Sequence, residues 1–137
     1  MSYEINLMSK IACELAQKLR DADIEIVDVH HNRKIDSPSG TALLLANDIN
    51  KALDNEKEFV FERHSRRAAR EKKEIGIHSI RGGTEVGKHS IMFYGDNESF
   101  EITHTCTSRC VFANGAINAA KFILHKDNGF YNMNDMM

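Results

Sequence analysis

The sequence predicts an α+β domain, a mixed β-sheet covered by helices, and three observations predict it. Apolar residues recur at three- and four-residue steps in three separate stretches, which marks helical faces. Four short runs between them are β-branched, aromatic or alternating, which marks strands. Their order along the chain, α, β, α, β, β, β, α, suits a mixed sheet with helices packed upon it.

Met8, Ile11, Ala12, Leu15, Ala16 and Leu19 line one face of a helix from about Ile5 to Leu19. Residues 24–29, Ile-Glu-Ile-Val-Asp-Val, are too short for a buried helix and read as a strand with apolar groups on both faces. His30 and His31 stand at its end. Ala42, Leu45, Ala46, Ile49, Ala52 and Leu53 define a second helix, started by Ser37, Pro38 and Ser39, a capping hydroxyl and an early proline. Residues 54–74 carry mixed charge and little apolar content, so they read as an exposed loop or frayed helix. Ile75–Ile80 is a strand broken by Arg81-Gly82-Gly83, and His89–Tyr94 resumes as another. Gly95-Asp96-Asn97 turns the chain into an alternating strand containing Phe100, Ile102 and His104, a hairpin partner. Phe112, Ala116, Ile117, Ala120, Ile123 and Leu124 mark the last helix.

At 137 residues and 42% hydrophobic content the chain can bury one core, so a single domain is expected. Eighteen basic against 20 acidic residues leave a formal charge of -2, which gives no pull toward a polyanion. Cys13, Cys106 and Cys110 are an odd set without a CxxC pair; buried thiols in a reducing compartment are expected. No apolar run approaches the roughly 18–20 residues of a membrane span, and the N-terminus lacks a signal-peptide core. The expectation is a cytoplasmic protein without membrane or nucleic-acid partners.

The chemistry concentrates in His30-His31-Asn32-Arg33-Lys34-Ile35-Asp36-Ser37-Pro38-Ser39-Gly40-Thr41. A helix start leaves N–H groups unpaired, and with the helix dipole they attract an anion. Gly40 has no Cβ, so a ligand can come close to the amides of Gly40 and Thr41. Ser39 and Thr41 add hydroxyls, and Lys34 adds a positive charge suited to a carboxylate or phosphate. Consecutive strand residues point to opposite faces, so His30 and His31 can serve one ligand only if the strand has ended by His31. An imidazole with an ordinary pKa of about 6.5 can then donate a proton near neutral pH, and Lys34 is a second candidate acid. Taken singly, a strand-end histidine or a Ser-Pro-Ser helix start is ordinary structure; it is their coincidence that points to a reaction site.

Two other classes fit the residues less well. A metal could draw on His30, His31, His78, His89 or His104, but no H-x-x-x-H or Cys/His spacing appears, and no metal is expected. The basic residues between Arg63 and Lys73 are interrupted by Glu71 and lack interleaved aromatics, which fits a solvated loop better than a nucleic-acid surface.

The run from Asp28 to Ala42 closely resembles a family signature, E-x-H-H-x-x-K-x-D-x-P-S-G-T-A, of dihydrodipicolinate reductase (4-hydroxy-tetrahydrodipicolinate reductase). The resemblance continues in Ile75–Gly83, Val86–His89, Glu101–His104 and Ser108–Ala116, nearly the whole chain. It implies that His30 is the general acid and Lys34 a second proton donor. It implies that His31 and the amides of Gly40 and Thr41, with Ser39 beside them, hold the substrate's carboxylates. Arg109 and Phe112 resemble positions near the nicotinamide. The family reduces a cyclic unsaturated dicarboxylate with NADH or NADPH in the diaminopimelate route of lysine biosynthesis, and its C-terminal half packs sheet against sheet into a homotetramer.

Three departures accompany the match. No G-x-G-x-x-G follows a strand, so the chain resembles the substrate-binding and oligomerisation half, without the Rossmann domain. With no held nicotinamide, these residues alone are expected to be inactive and to carry no bound cofactor. Asp28, where the family has alanine or glutamate nearby, reads as a harmless change. Residues 63–73 are more basic and poorer in glycine than the family's loop. The alternative reading is a non-catalytic oligomerisation or anion-binding module.

Overall fold

Residues 2–137 are described by the structure, a computed structural model. Its elements are α1 (Tyr3–Lys18), β1 (Asp23–His30), α2 (Gly40–Ala52), β2 (Glu58–Val60), β3 (Glu74–Arg81), β4 (Gly87–Tyr94), β5 (Ser99–Cys106), α3 (Cys110–Ile123) and a 3-10 turn at Met133–Met136. The strands form one sheet in the order β2-β3-β1-β4-β5. β3 runs parallel to both β1 and β2, while β4 runs antiparallel to β1 and β5. A mixed sheet follows because α2 lies within the crossover from β1 to β3, whereas β4 and β5 are joined by a tight hairpin.

β1 lies at the centre, and its alternation decides what each face carries. Ile24 and Ile26 align with Ile75 and Ile77 on one side and with Phe93 and Ile91 on the other. That row meets Met8, Ala12 and Ala16 of α1 and Leu45, Ala46 and Ile49 of α2 in one core. Each large apolar side chain buried there stabilises by roughly 1.5–3 kcal/mol. The opposite face carries Val27, Val29, Ile80, Met92 and Tyr94 with Ser90, Glu101 and Thr103, and Ile80 is 53% exposed. Residues 24–29 thus carry apolar groups on both faces, as expected, and the helices cover one of them.

Three expectations change. The 54–74 stretch contains β2, a three-residue edge strand too short to show a period in the sequence. Its basic residues are not simply solvated, since Arg63 binds Glu74 at 2.7 Å and Glu25 at 3.1 Å, and Arg70 binds Asp23 at 2.8 Å and Glu25 at 3.0 Å. α3 forms where the apolar period places it, but among its residues only Gly115 is buried; Ile117 and Ile123 stay exposed. Of the thiols, Cys106 is buried, Cys13 half-buried and Cys110 exposed, so the expectation of three buried cysteines holds for one.

Glu25 explains Gly76. Its carboxylate lies across that residue on the open face, held by Arg63, Arg70 and His78 Nε2 at 2.6 Å, and a Cβ on residue 76 would overlap it. Burial pushes the Glu25 carboxyl up, but the hydrogen bonds from His78 and Arg70 outweigh this and hold it below the ordinary glutamate value. Gly76→Ala must expel the carboxylate from three partners. It is expected to cost about 1–3 kcal/mol, the scale of an unmade charged hydrogen bond, measured as a shift in the urea midpoint at unchanged slope.

Candidate active site

β1 ends on His30, and the chain leaves the sheet at His31. The condition for both rings to serve one site is thus met. His31 N donates to Glu85 O at 2.8 Å and Asn32 N to Gly83 O at 3.2 Å, pinning the turn against the β3–β4 connection. The 31–39 segment then returns to start α2 beside the end of β1.

The start of α2 has the expected geometry. Ser39 is the N-cap, in extended conformation, and its Oγ accepts from Ala42 N at 3.1 Å. Leu43 N donates to Ser39 O, whereas the amides of Gly40 and Thr41 have no protein acceptor. Gly40 is exposed and Thr41 half-buried, and a Cβ on residue 40 would meet nothing within 4 Å. Two unpaired N–H groups at the positive end of a 13-residue helix thus face open space.

Ser39 is where the structure corrects the sequence. It is 2% exposed: its N donates to Asp28 Oδ2 at 3.1 Å and its Oγ lies 3.0 Å from His89 Nε2. A strut inside the protein, it offers no hydroxyl to a ligand.

His30 packs at the rim of this network. Its Nδ1 is 2.9 Å from Asp28 Oδ1, and its ring meets the His89 ring edge-on at 5.2 Å. Nε2 has no protein partner, yet it is not among the buried polar atoms left unpaired, so it touches solvent. Gly87, across the strand pair, lies beside that atom; a Cβ there would stand 3.2 Å from Nε2. The missing side chain keeps that nitrogen open.

His31 Nε2 receives Arg109 Nη2 at 3.3 Å, and its Nδ1 is buried without a partner. Partial burial first, then the cations Arg109 and Arg33, lower the His31 pKa, so the ring is neutral at pH 7. Lys34 Nζ sits 2.8 Å from Asp36 Oδ1, on the same turn. Arg109, at the N-cap of α3, thereby joins the site, and Phe112 shares with Thr41 the lining of a cavity of about 350 Å³ beside the helix start.

The residues that sequence reasoning passed over are Asp28, Arg81 and His89. His89 is not the first residue of a strand but lies inside β4, buried. Burial first, then His30, lower its pKa to about 4, so this ring is also neutral at pH 7. One signal for Asp28 was available, because residues two apart in a strand share a face and Asp28 precedes His30 by two. Of the other histidines, His78 pairs with Glu25 on the open face, and His104 lies across from His89 on the helix face. No cluster of three His, Cys, Asp or Glu among the described residues is arranged to hold a metal.

These features define a class: an α+β domain whose mixed sheet and second helix bring two unpartnered amides, two histidines and a lysine together where the central strand ends. The chain belongs to the family described as dihydrodipicolinate reductase, C-terminus, which matches residues 4–137. A 4-hydroxy-tetrahydrodipicolinate reductase of Brachyspira hyodysenteriae is 56% identical over 133 residues, covering 97% of this chain and 57% of the relative. The enzyme of the same name from Caldanaerobacter subterraneus is 46% identical, covering 100% of this chain and 55% of its own length. A solved structure described as a dipicolinate-bound dihydrodipicolinate reductase from Paenisporosarcina sp. TG-14 superposes with a TM-score of 0.76 at 27% identity, over 97% of this chain and 51% of that one. The chain thus spans about half the length of the relatives it matches. No helix among the described residues is long and apolar enough to cross a membrane.

Proposed function

We propose that this chain is the substrate-binding half of a 4-hydroxy-tetrahydrodipicolinate reductase, which reduces a cyclic unsaturated dicarboxylate with NADH or NADPH. The observation that carries this reading is the pair of unpartnered amides at Gly40 and Thr41, set beside His31, Lys34 and the open Nε2 of His30. A dicarboxylate needs two electropositive holds, and a helix start plus a cationic turn supply them. The relative with dipicolinate bound carries a planar dicarboxylate of that kind.

In this reading one carboxylate accepts from Gly40 and Thr41 N–H, and the other lies toward His31 and Lys34. His30, as imidazolium, gives its Nε2 proton to the substrate; a bound nicotinamide would supply the hydride. Lys34 exchanges Asp36 for the ligand and can act as a second donor. The residues of this chain form no glycine-rich turn to cradle a dinucleotide. Their part is to hold the dicarboxylate and manage the proton, and the chain alone is expected not to turn over. The uncovered sheet face, with Val27, Val29, Ile80, Met92 and Tyr94, suits contact between copies in a homotetramer. A cytoplasmic setting fits a soluble reductase with free thiols.

Calorimetric titration with pyridine-2,6-dicarboxylate tests the reading. Saturable binding is expected for the wild type, and at least tenfold weaker binding for the double variant His31→Ala, Lys34→Ala, since a charged hydrogen bond is worth about 1.5–3 kcal/mol. Equal affinities, or no wild-type binding, would sink it.

A further inference from the structure

Asp28 is fully buried, and four groups converge on its carboxylate. Oδ2 accepts from Ser39 N at 3.1 Å and from Ser79 Oγ at 2.8 Å; Oδ1 accepts from Arg81 Nη1 at 2.6 Å and faces His30 Nδ1 at 2.9 Å. A buried carboxylate with one donor would protonate or be excluded. Here burial raises the pKa, but hydrogen bonds from Ser79, Arg81, Ser39 and His30 outweigh it and hold Asp28 below the ordinary aspartate value. The group is therefore ionised and accepts only. It follows that His30 Nδ1 must carry a hydrogen.

We propose that Asp28 is a positioning residue, which locks the His30 proton on Nδ1 and thereby reserves Nε2 as the only site of proton release, while tying that ring to the start of α2 through Ser39. The claim of a role in proton transfer rests on the function proposed above; the lock itself does not. Three observations converge on it. The ring cannot turn over without losing its charged acceptor, because the other atom facing it, His89, is a neutral ring held by Ser39. Nε2 is the open nitrogen, kept clear by Gly87. Asp28 also reaches the N-cap, so one carboxylate sets the distance between the proton donor and the two free amides. When His30 has released its proton, what remains is the Nδ1–H tautomer, already matched to Asp28. Without the carboxylate, the released ring would have to find a new partner as the proton leaves. The arrangement is that of a carboxylate orienting a histidine in acid–base catalysis, assembled here from two positions on one strand.

The lock can be read without substrate or cofactor. In ¹⁵N-labelled chain, long-range ¹H–¹⁵N correlation of the imidazoles distinguishes the tautomers. Neutral His30 is expected as Nδ1–H in the wild type, against the Nε2–H form favoured by free histidine. In Asp28→Asn the amide oxygen is claimed by Ser39 N and Ser79 Oγ, so its NH2 takes the place of Oδ1, gives up Arg81 and faces His30, and the tautomer reverses. Asp28→Glu, which keeps a charged acceptor, is expected to retain Nδ1–H. Wild-type His30 in the Nε2–H form would overturn the inference whether or not any variant folds, and so would an unchanged tautomer in a folded Asp28→Asn. In the full-length reductase Asp28→Asn is expected to lower kcat on the order of 100-fold, the scale of a general acid's contribution, with KM altered less than about threefold. A loss confined to KM would overturn the positioning role. Reversal of the tautomer in a protein that ignores pyridine-2,6-dicarboxylate would leave the lock intact and remove the proposed function instead.

Discussion

Gly40→Pro is expected to weaken pyridine-2,6-dicarboxylate binding by roughly ten- to a hundredfold while leaving the fold intact. Residue 40 is the first helical position of α2, where proline is favoured because the missing N–H has no helical acceptor. The preceding Ser39 sits at φ -67, ψ 151, the extended region that a following proline requires. The substitution therefore costs the free protein little. What it removes is one of the two unpartnered N–H groups proposed to hold the anion, worth about 1.5–3 kcal/mol when the acceptor is charged, and it places a ring on the proposed approach of the ligand. Gly40→Ala makes a graded control, since its Cβ meets no protein atom and any lost affinity must come from the ligand side. Calorimetry gives the affinities and a thermal melt the stability. Unchanged affinity in a folded Gly40→Pro would show that the anion does not sit on the helix start.

The second large effect concerns acid. His89 has its pKa lowered by burial and by His30 to about 4 in the folded protein, against an ordinary 6.5, with Asp28 opposing the shift and His104 and Lys34 adding to it. The unfolded chain thus binds a proton through a range where the folded chain does not, and stability falls as pH drops from about 6.5 toward 4. A gap of that size corresponds to roughly 3 kcal/mol at the low end, and His31, also lowered, contributes in the same direction. The depressed carboxylates behave differently. Asp28, Glu25 and Glu74 give stability that is present above the unfolded carboxylate values and lost only as pH falls through their lower folded values. The decline between pH 6.5 and 4 therefore belongs mainly to His89. Urea unfolding at half-unit pH steps should show it in the wild type and a flatter line in His89→Gln, whose amide still reaches toward Ser39. Parallel lines would remove His89 from the account.

Much of this was legible in the residues. The apolar period of Met8–Leu19 and of Ala42–Leu53 placed two helices to within a few residues, because both bury a stripe against one sheet and a stripe needs only the helical repeat. The run 24–29 and the hairpin around Gly95 were equally readable, being local matters of side-chain shape and turn chemistry. β2 was not, because three residues on an edge have neither length nor alternation. Nor was the state of α3: its apolar period states that it has a face to bury and is silent on where that face goes.

The proposed anion-binding half of the site belongs to the sequence alone. A strand end, a serine cap, Gly40 and Thr41 lie within one connection, and the chemistry of a helix start follows from covalent order and backbone hydrogen bonding. The proposed proton-donating half belongs to the tertiary structure. Asp28 acquires its ionised state, and His30 its tautomer, from Ser39, Ser79 and Arg81, which are 11, 51 and 53 residues from Asp28, and His89 stands 50 residues from Ser39. Only the register of β1 against β3 and β4 brings them together, and register is decided by which face of the sheet the whole core buries.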